Sequence, residues 1–161
     1  MARFIGKELP DDLYQRLDGR NLGAQAEKAI LICTVGSDGW PHPAMLSHFE
    51  VVARDRHNIR LATYSSSTTT GNMRRNGKAT LSIIDRGAVY YIKGTVRELQ
   101  AELECAPGNC KLNLQIDAVL SDQSDQELEA GAFVSGGVTF QNPNMTVEMP
   151  RAQRLLQALM E

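Results

Sequence analysis

The sequence predicts a mainly β fold with a minor α contribution, a small antiparallel barrel carrying a few helices. Three observations predict it. Short apolar runs bounded by turn residues recur six or seven times along the 161 residues, which is the signature of strands joined by hairpins. Helical periodicity is confined to the two ends and one crossover. Apolar residues make up 42% and charged residues 22% of the chain, ordinary globular values that exclude disorder and suit one domain with a real core.

Leu9, Leu13 and Leu17 share one face at helical spacing, and Asp11 and Asp12 fall in the first turn, where the dipole favours anions. Gly19 and Gly23 break that pattern. Ala29–Val35, AILICTV, is a buried strand that enters a hairpin at Ser37-Asp38-Gly39. The return strand opens with Pro41-x-Pro43, and two prolines without ladder donors place its start at an edge. It is expected to continue from Ala44 to Ala53. A polar turn at 54–58 leads to a strand over Ile59–Thr63. The tract Ser65-Ser66-Ser67-Thr68-Thr69-Thr70 then leads into a short capped helix, Gly71-Asn72-Met73-Arg74-Arg75-Asn76, ended by Gly77.

Lys78–Asp85 reads as the next strand and Ala88–Glu104 as a long one bent at Gly94. After the loop at Pro107-Gly108-Asn109, residues 111–120 alternate without a fault. Leu112, Leu114, Ile116, Ala118 and Leu120 lie on one face, and Asn113, Gln115, Asp117 and Val119 on the other. Ala132–Phe140 is expected to be a last strand. Pro150 is expected at the first position of a terminal helix carrying Leu155, Leu156, Leu159 and Met160, whose apolar face meets either this chain's core or a partner subunit.

With 17 basic and 19 acidic residues the net charge is −2, which argues against a wholly basic nucleic-acid binder. No apolar run approaches a membrane span, and the opening MARFIGKELPDD lacks the apolar core of a signal peptide. Three cysteines, Cys33, Cys105 and Cys110, form no disulfide framework. The expected setting is a reducing cytoplasm.

The hydroxyl tract carries the chemistry. Ser65 to Thr70 places side-chain donors where the N–H groups of a new helix are unpaired, the physical recipe for holding a phosphate. Arg74, Arg75 and Lys78 bring positive charge within a turn or two. A plain polar loop with an ordinary N-cap is the competing reading. The nearby Gly71-NMRRN-Gly77-Lys78 is no nucleotide-triphosphate loop: it has five residues between the glycines, and Ala79 follows the lysine. His42, His48 and His57 do not sit at ligand spacing, and Cys105 and Cys110 form no CxxC pair, so no metal is expected. No serine lies in a G-x-S-x-G elbow. Trp40, Tyr64 and Tyr90-Tyr91 are aromatics that either pack or flank a planar cofactor.

The succession CTVGSDGWPHPAMLSHF, IRLATYSSSTTTGNMRRNGKATLSIID and YYIKGTVREL, over about residues 25–100, resembles the FMN-binding split-barrel family, also called the pyridoxamine 5′-phosphate oxidase-like family. Its most specific piece is a strand, Thr, a serine-rich turn, N-x-R-R-N and another strand. The resemblance implies a six-stranded antiparallel Greek-key split β-barrel with short flanking helices, one domain over residues 1–161, forming a homodimer with FMN at the interface. It implies flavin contacts from Ala44, Met45, Leu46 and Ser47. It places the ribityl phosphate against Thr63, Tyr64, Ser65, Ser67, Thr68 and Thr69, with Asn72 and Arg75 beside them.

There are departures from the true pyridoxamine phosphate oxidases. Their S-R-K turn is Ser67-Thr68-Thr69 here, their flavin-ring glutamine maps to Val89, and their tryptophan- and arginine-rich tail is replaced by QNPNMTVEMPRAQRLLQALME. Vitamin B6 oxidation is therefore not expected. The expected function is a flavin-dependent oxidoreductase acting on a small redox substrate, with a reduced nicotinamide as a possible electron donor. No catalytic residue is singled out, and Tyr64, Tyr90 and His48 are acid–base candidates by chemistry only. The alternative is a non-catalytic flavin carrier or sensor, or a haem- or deazaflavin-binding relative. Neither a nucleic acid nor a membrane is an expected partner.

Overall fold

The computed structural model describes residues 1–161. Its strands are β1 (Ala2–Gly6), β2 (Ala29–Val35), β3 (Pro41–Ser47), β4 (Val51–Ala53), β5 (Asn58–Tyr64), β6 (Lys78–Asp85), β7 (Ala88–Gln100) and β8 (Asn109–Asp122). The helices are α1 (Asp11–Leu17), α2 (Leu22–Gln25), α3 (Thr68–Asn76) and α4 (Met145–Met160). All strand pairs are antiparallel, in the order β3-β2-β6-β7-β8-β5-β4, with β1 added beside β8. The two edge strands β3 and β4 are consecutive in the chain, and three residues can bridge at most about 14 Å. The sheet must therefore curl until its edges nearly meet, which makes a split barrel. It has eight strands rather than six, because β1 and the separate β4 join the expected set.

The core follows the pattern of alternation. Ile30, Ile32, Ile59, Leu61, Leu81, Ile92, Leu112 and Leu114 are at most 1% exposed and fill the barrel. Helix α1 seals one end with Leu13 and Leu17, joined by Leu9 just before it. Helix α3 packs on β2, β3, β5 and β7 at the other end, with Met73 buried. Helix α4 lies outside the barrel, where Leu156 and Leu159 pack on Val52 and Ala62. Its apolar face is thus an intrachain contact.

Several boundaries differ from expectation for identifiable reasons. Residues 44–53 are two strands, because the Glu50 carboxylate accepts from the Ser47 N–H (2.7 Å) and hydroxyl (2.8 Å) and turns the chain from one sheet edge to the other. Strand β7 stops at Gln100, and a turn burying Leu103 and Ala106 follows. The alternation in β8 has a fault: Lys93 faces Ala118 while Gly94 faces Ile116, so Asp117 bulges out. The inward set is accordingly Leu112, Leu114, Ile116 and then Val119, not Leu120. Gly94 is required there, since a Cβ would overlap Leu114 and the Gln115 carbonyl.

Residues 132–140 form no strand. Strand β2 already has β3 and β6 as neighbours, so this segment finds only the bridge Lys28↔Thr139 and single bonds such as Ala29 N–H to the Val138 carbonyl (3.0 Å). Pro150 sits inside α4 rather than at its first position. The helix starts five residues earlier, and the ring removes one hydrogen bond near its start. The short β1 and α2 carried too few periodic residues to be read.

Candidate functional site

The end of the barrel sealed by α3 gathers most of the residues singled out in the sequence. Ser67 is the N-cap of α3: its hydroxyl accepts from Thr70 N–H at 3.2 Å, and Gly77 closes the helix in the left-handed conformation, φ +66°. Helix α3 therefore starts within the hydroxyl tract, at Thr68, three residues before the expected start at Gly71.

Hydrogen bonding, rather than burial, divides the hydroxyls into two groups, since Thr69 is as buried (6% exposed) as Thr63 and Thr70. Thr63, 3% exposed, and Thr70, fully buried, share a hydrogen bond of 2.7 Å, and Ser67 donates to Thr70 at 3.0 Å. Thr70 in turn donates to the Tyr64 carbonyl at 2.8 Å. Ser65 donates to the Ala101 carbonyl at 3.0 Å. These groups fix the β5–α3 corner. Thr68 and Thr69, by contrast, have neither hydroxyl nor N–H bonded within the chain, and Tyr64 is 65% exposed beside them. The unpartnered donors of the helix start are therefore Thr68 and Thr69, at the positive end of the α3 dipole.

The basic residues serve other ends. Arg74 is ion-paired to Glu98 and also donates to the Ser65 carbonyl at 2.7 Å. Arg75 donates to the Val35 carbonyl (2.7 Å) and to Asn72 (2.8 Å). Asn72, 2% exposed, donates to Thr34 at 3.0 Å. Asn72 and Arg75 thus tie α3 to the end of β2. Lys78 is left exposed without an ion pair.

On the edge strand β3, Ala44 and Leu46 face the core, while Met45 is 65% exposed and Ser47 is engaged by Glu50. The β2–β3 turn lies at the α3 end, since Arg75 and Asn76 both hold the Val35 carbonyl, and Trp40 there is 73% exposed. Clefts of about 570 and 610 Å³ lie elsewhere, one against α4 and one beside Met1 and Tyr90.

Two acid–base candidates sit at the opposite end of the barrel. Tyr90 donates to Asp12 at 2.7 Å, and burial together with that carboxylate pushes its hydroxyl up to about 12. His48 is lowered to about 4, first by burial and then by Lys28, against the pull of Asp85. Six residues of β7 separate Tyr90 from Val96, whose N–H bonds the Gly77 carbonyl at the end of α3. That is about 20 Å of strand, so of the three candidates only Tyr64 is near the hydroxyl corner.

The comparisons with known proteins agree with this architecture. Residues 23–127, well over half of the chain, match the family model described as pyridoxamine 5′-phosphate oxidase. An uncharacterized protein of Bacillus subtilis (strain 168), YclD, is 39% identical over 99 residues, which cover 62% of this chain and 58% of that protein, so the match spans little more than half of the relative's length. Among solved structures, a proposed pyridoxamine 5′-phosphate oxidase of Lactobacillus delbrueckii superposes with TM-score 0.59 at 17% identity, covering 74% of this chain and 98% of that one. HupZ of Group A Streptococcus gives 0.57 at 15% identity over 72% and 95%. An FMN-binding protein of Syntrophomonas wolfei gives 0.52 at 16% identity over 69% and 88%. Those structural likenesses show the fold; the family follows from the family model, and the chain belongs to the pyridoxamine 5′-phosphate oxidase-like, FMN-binding split-barrel family.

Proposed function

We propose that this protein binds FMN at the β5–α3 corner and acts as a flavin-dependent oxidoreductase, with two copies completing the site. The observation that carries the proposal is the free start of α3, where Thr68 and Thr69 offer N–H and hydroxyl donors to a phosphate while their neighbours hold the corner rigid. The residues present fit the group, although the neutral donors do more of the work than the arginines. Arg74 is spent on Glu98 and Arg75 on the Val35 carbonyl, so positive charge comes from the helix dipole, Lys78 or a partner subunit.

The ring would lie along β3, where Met45 is exposed and the backbone of Ala44 to Ser47 borders the edge. The flavin supplies the redox chemistry when bound; the protein binds and orients it and keeps water off one face. Dimerisation is supported by the exposed apolar set Val35, Trp40, Met45 and Tyr64 on this side of the chain. A reduced nicotinamide is the proposed electron donor. Vitamin B6 oxidation is not, given the Ser67-Thr68-Thr69 turn and the tail without tryptophan.

The test is the visible absorption spectrum after incubation with FMN and removal of free ligand. Retained two-banded flavin absorbance supports the proposal, and Thr68→Glu, which places a like charge at the phosphate, should abolish it. A protein that stays colourless with FMN sinks the proposal. Turnover with reduced nicotinamide above that of free flavin then separates an enzyme from a carrier.

A further inference from the structure

The outer face of β5, β8 and β7 gathers basic residues that form no ion pair, with Asp55 near Arg60 and Glu161 near Lys111 as the carboxylates in their field. Arg60 pairs across the ladder with Asn113, and Asn113 pairs with Arg97, so the three side chains share one face. Lys111 lies two positions along β8 on that face, and Arg54 lies beyond β5 where its N–H bonds the Asn58 carbonyl. None of these four cations is in an ion pair, although seven ion pairs form elsewhere. Within Arg60, Nε and one terminal nitrogen are buried without any hydrogen-bond partner. Arg60 is half-buried, and donors left buried without a partner cost free energy that a ligand reaching them would recover.

The acceptor side is defined as well. Asp55 accepts from the Asn58 amide at 3.0 and 3.2 Å, which fixes the orientation of Asn58. Asn58 Oδ1 then accepts from Asn113 Nδ2 at 3.1 Å, so Asn113 Oδ1 is the atom left buried and unpaired. The same relay commits Asp55, an acidic group in the field of Arg60, to Asn58 and to the His57 N–H. Lys111, 8% exposed, reaches the Ala158 carbonyl at 2.7 Å and so anchors the end of α4 against this face. Two orphan donors beside one orphan acceptor match an anion that also carries a hydroxyl. A phosphomonoester in its singly protonated form has both.

We propose that this face is a binding site for a phosphomonoester group, held by Arg60 with Arg97 and Arg54 around it and with its P–OH donated to Asn113 Oδ1. The site is distinct from the flavin corner and does not rest on it. Arg60 points outward and Thr63 inward, and they are three residues, about 10 Å, apart along β5. The cluster is compact and walled by α4 rather than drawn out along a groove, which favours a small ligand over a polymer.

The experiment is calorimetric titration of the full chain with inorganic phosphate in 0.15 M NaCl, repeated with sulfate. In Thr68→Glu, whose flavin corner repels phosphate, saturable binding at one phosphate per chain is expected, about fivefold tighter than sulfate near neutral pH because fully ionised sulfate has no proton for Asn113. Arg60→Met and the exposed Arg97→Gln, each in that background, should weaken phosphate at least about tenfold, because Thr68→Glu leaves the outer face as it is. Arg97 is exposed, so its variant keeps the test open should Arg60→Met misfold. Absence of saturable binding in Thr68→Glu overturns the proposal, as does binding kept in both Arg60→Met and Arg97→Gln. Steeply salt-dependent binding of an RNA oligonucleotide without phosphate binding would assign the face to a polyanion and overturn it equally.

Discussion

Two charged centres on this barrel hold similar residues in opposite ways. At the end sealed by α1, one carboxylate, Asp85, is shared by Arg16 and Lys28 at 2.6 Å each, with buried His48 beside them. On the outer face of β5 and β8, Arg54, Arg60, Arg97 and Lys111 gather with no carboxylate in contact and with buried donors unused. The first centre is internally complete, so its charges stabilise the fold. The second is incomplete, so its charges cost stability until something binds. Equal charge density therefore carries opposite meanings, and hydrogen-bond satisfaction tells them apart.

The most disruptive way to break the comparison is to unbalance the complete centre. Asp85→Ala strands Arg16 and Lys28 in partly buried positions and should lower stability by about 3 kcal/mol in urea unfolding. An effect under 1 kcal/mol would mean that the centre is decorative.

Acid probes the same centre. The folded His48 is held near 4 against an ordinary 6.5, so the unfolded chain takes up its proton first as pH falls. Its contribution is whole above about 6.5 and is lost as pH falls through 4, on the order of 2–3 kcal/mol. Burial alone would raise the Asp85 carboxyl, but hydrogen bonds from Lys28, the Arg86 N–H and Arg16 bring it down to about 2. Its contribution is therefore whole above an ordinary carboxylate value and lost between about 4 and 2. His48→Gln should flatten the stability profile from pH 6.5 to 4 and leave the lower step in place.

The incomplete centre should respond with the opposite sign. In phosphate-free buffer, Arg60→Met removes a half-buried charge with two unpartnered nitrogens and should raise stability by about 1 kcal/mol, read as an increase in Tm. Destabilisation of that size would show that the guanidinium is already satisfied. Smallest is the neutral α3 corner, where Ser67→Ala removes the N-cap and should cost about 1 kcal/mol or slightly less, independent of salt. A salt-sensitive loss there would mean that charge, not the cap, holds the helix.

Much of this was legible in the chain itself. Ala29–Val35 and Lys78–Asp85 are strands with the boundaries that the apolar runs and turn residues predict. The Pro41-x-Pro43 start lies on an edge strand, as missing ladder donors require. Gly77 ends its helix, and Leu9, Leu13 and Leu17 face the core. These features rest on short-range rules, which a linear sequence carries in full. The hydroxyl tract was legible as a helix start, but not which hydroxyls are free. Ser67, Thr63 and Thr70 look like Thr68 and Thr69 in the sequence and differ only in what surrounds them.

The linear chain carried β2, β6, the turn at Ser37-Asp38-Gly39 and the Gly77 cap, because each depends on neighbours a few residues apart, and it carried the family in the ordered succession of those motifs. The tertiary structure alone decided the rest. It split residues 44–53, since a curled sheet must carry the chain from one edge to the other. It placed the Asp117 bulge in β8, since the kink belongs to the pairing with Gly94 of another strand. It denied residues 132–140 a strand, since β2 had no free edge. It also separated Arg16 and Lys28, which met a carboxylate, from Arg60, which did not. Charge compensation acts over a few ångströms in space, and residues 44 positions apart in the chain, such as Arg16 and Arg60, give no sign of it until the sheet closes.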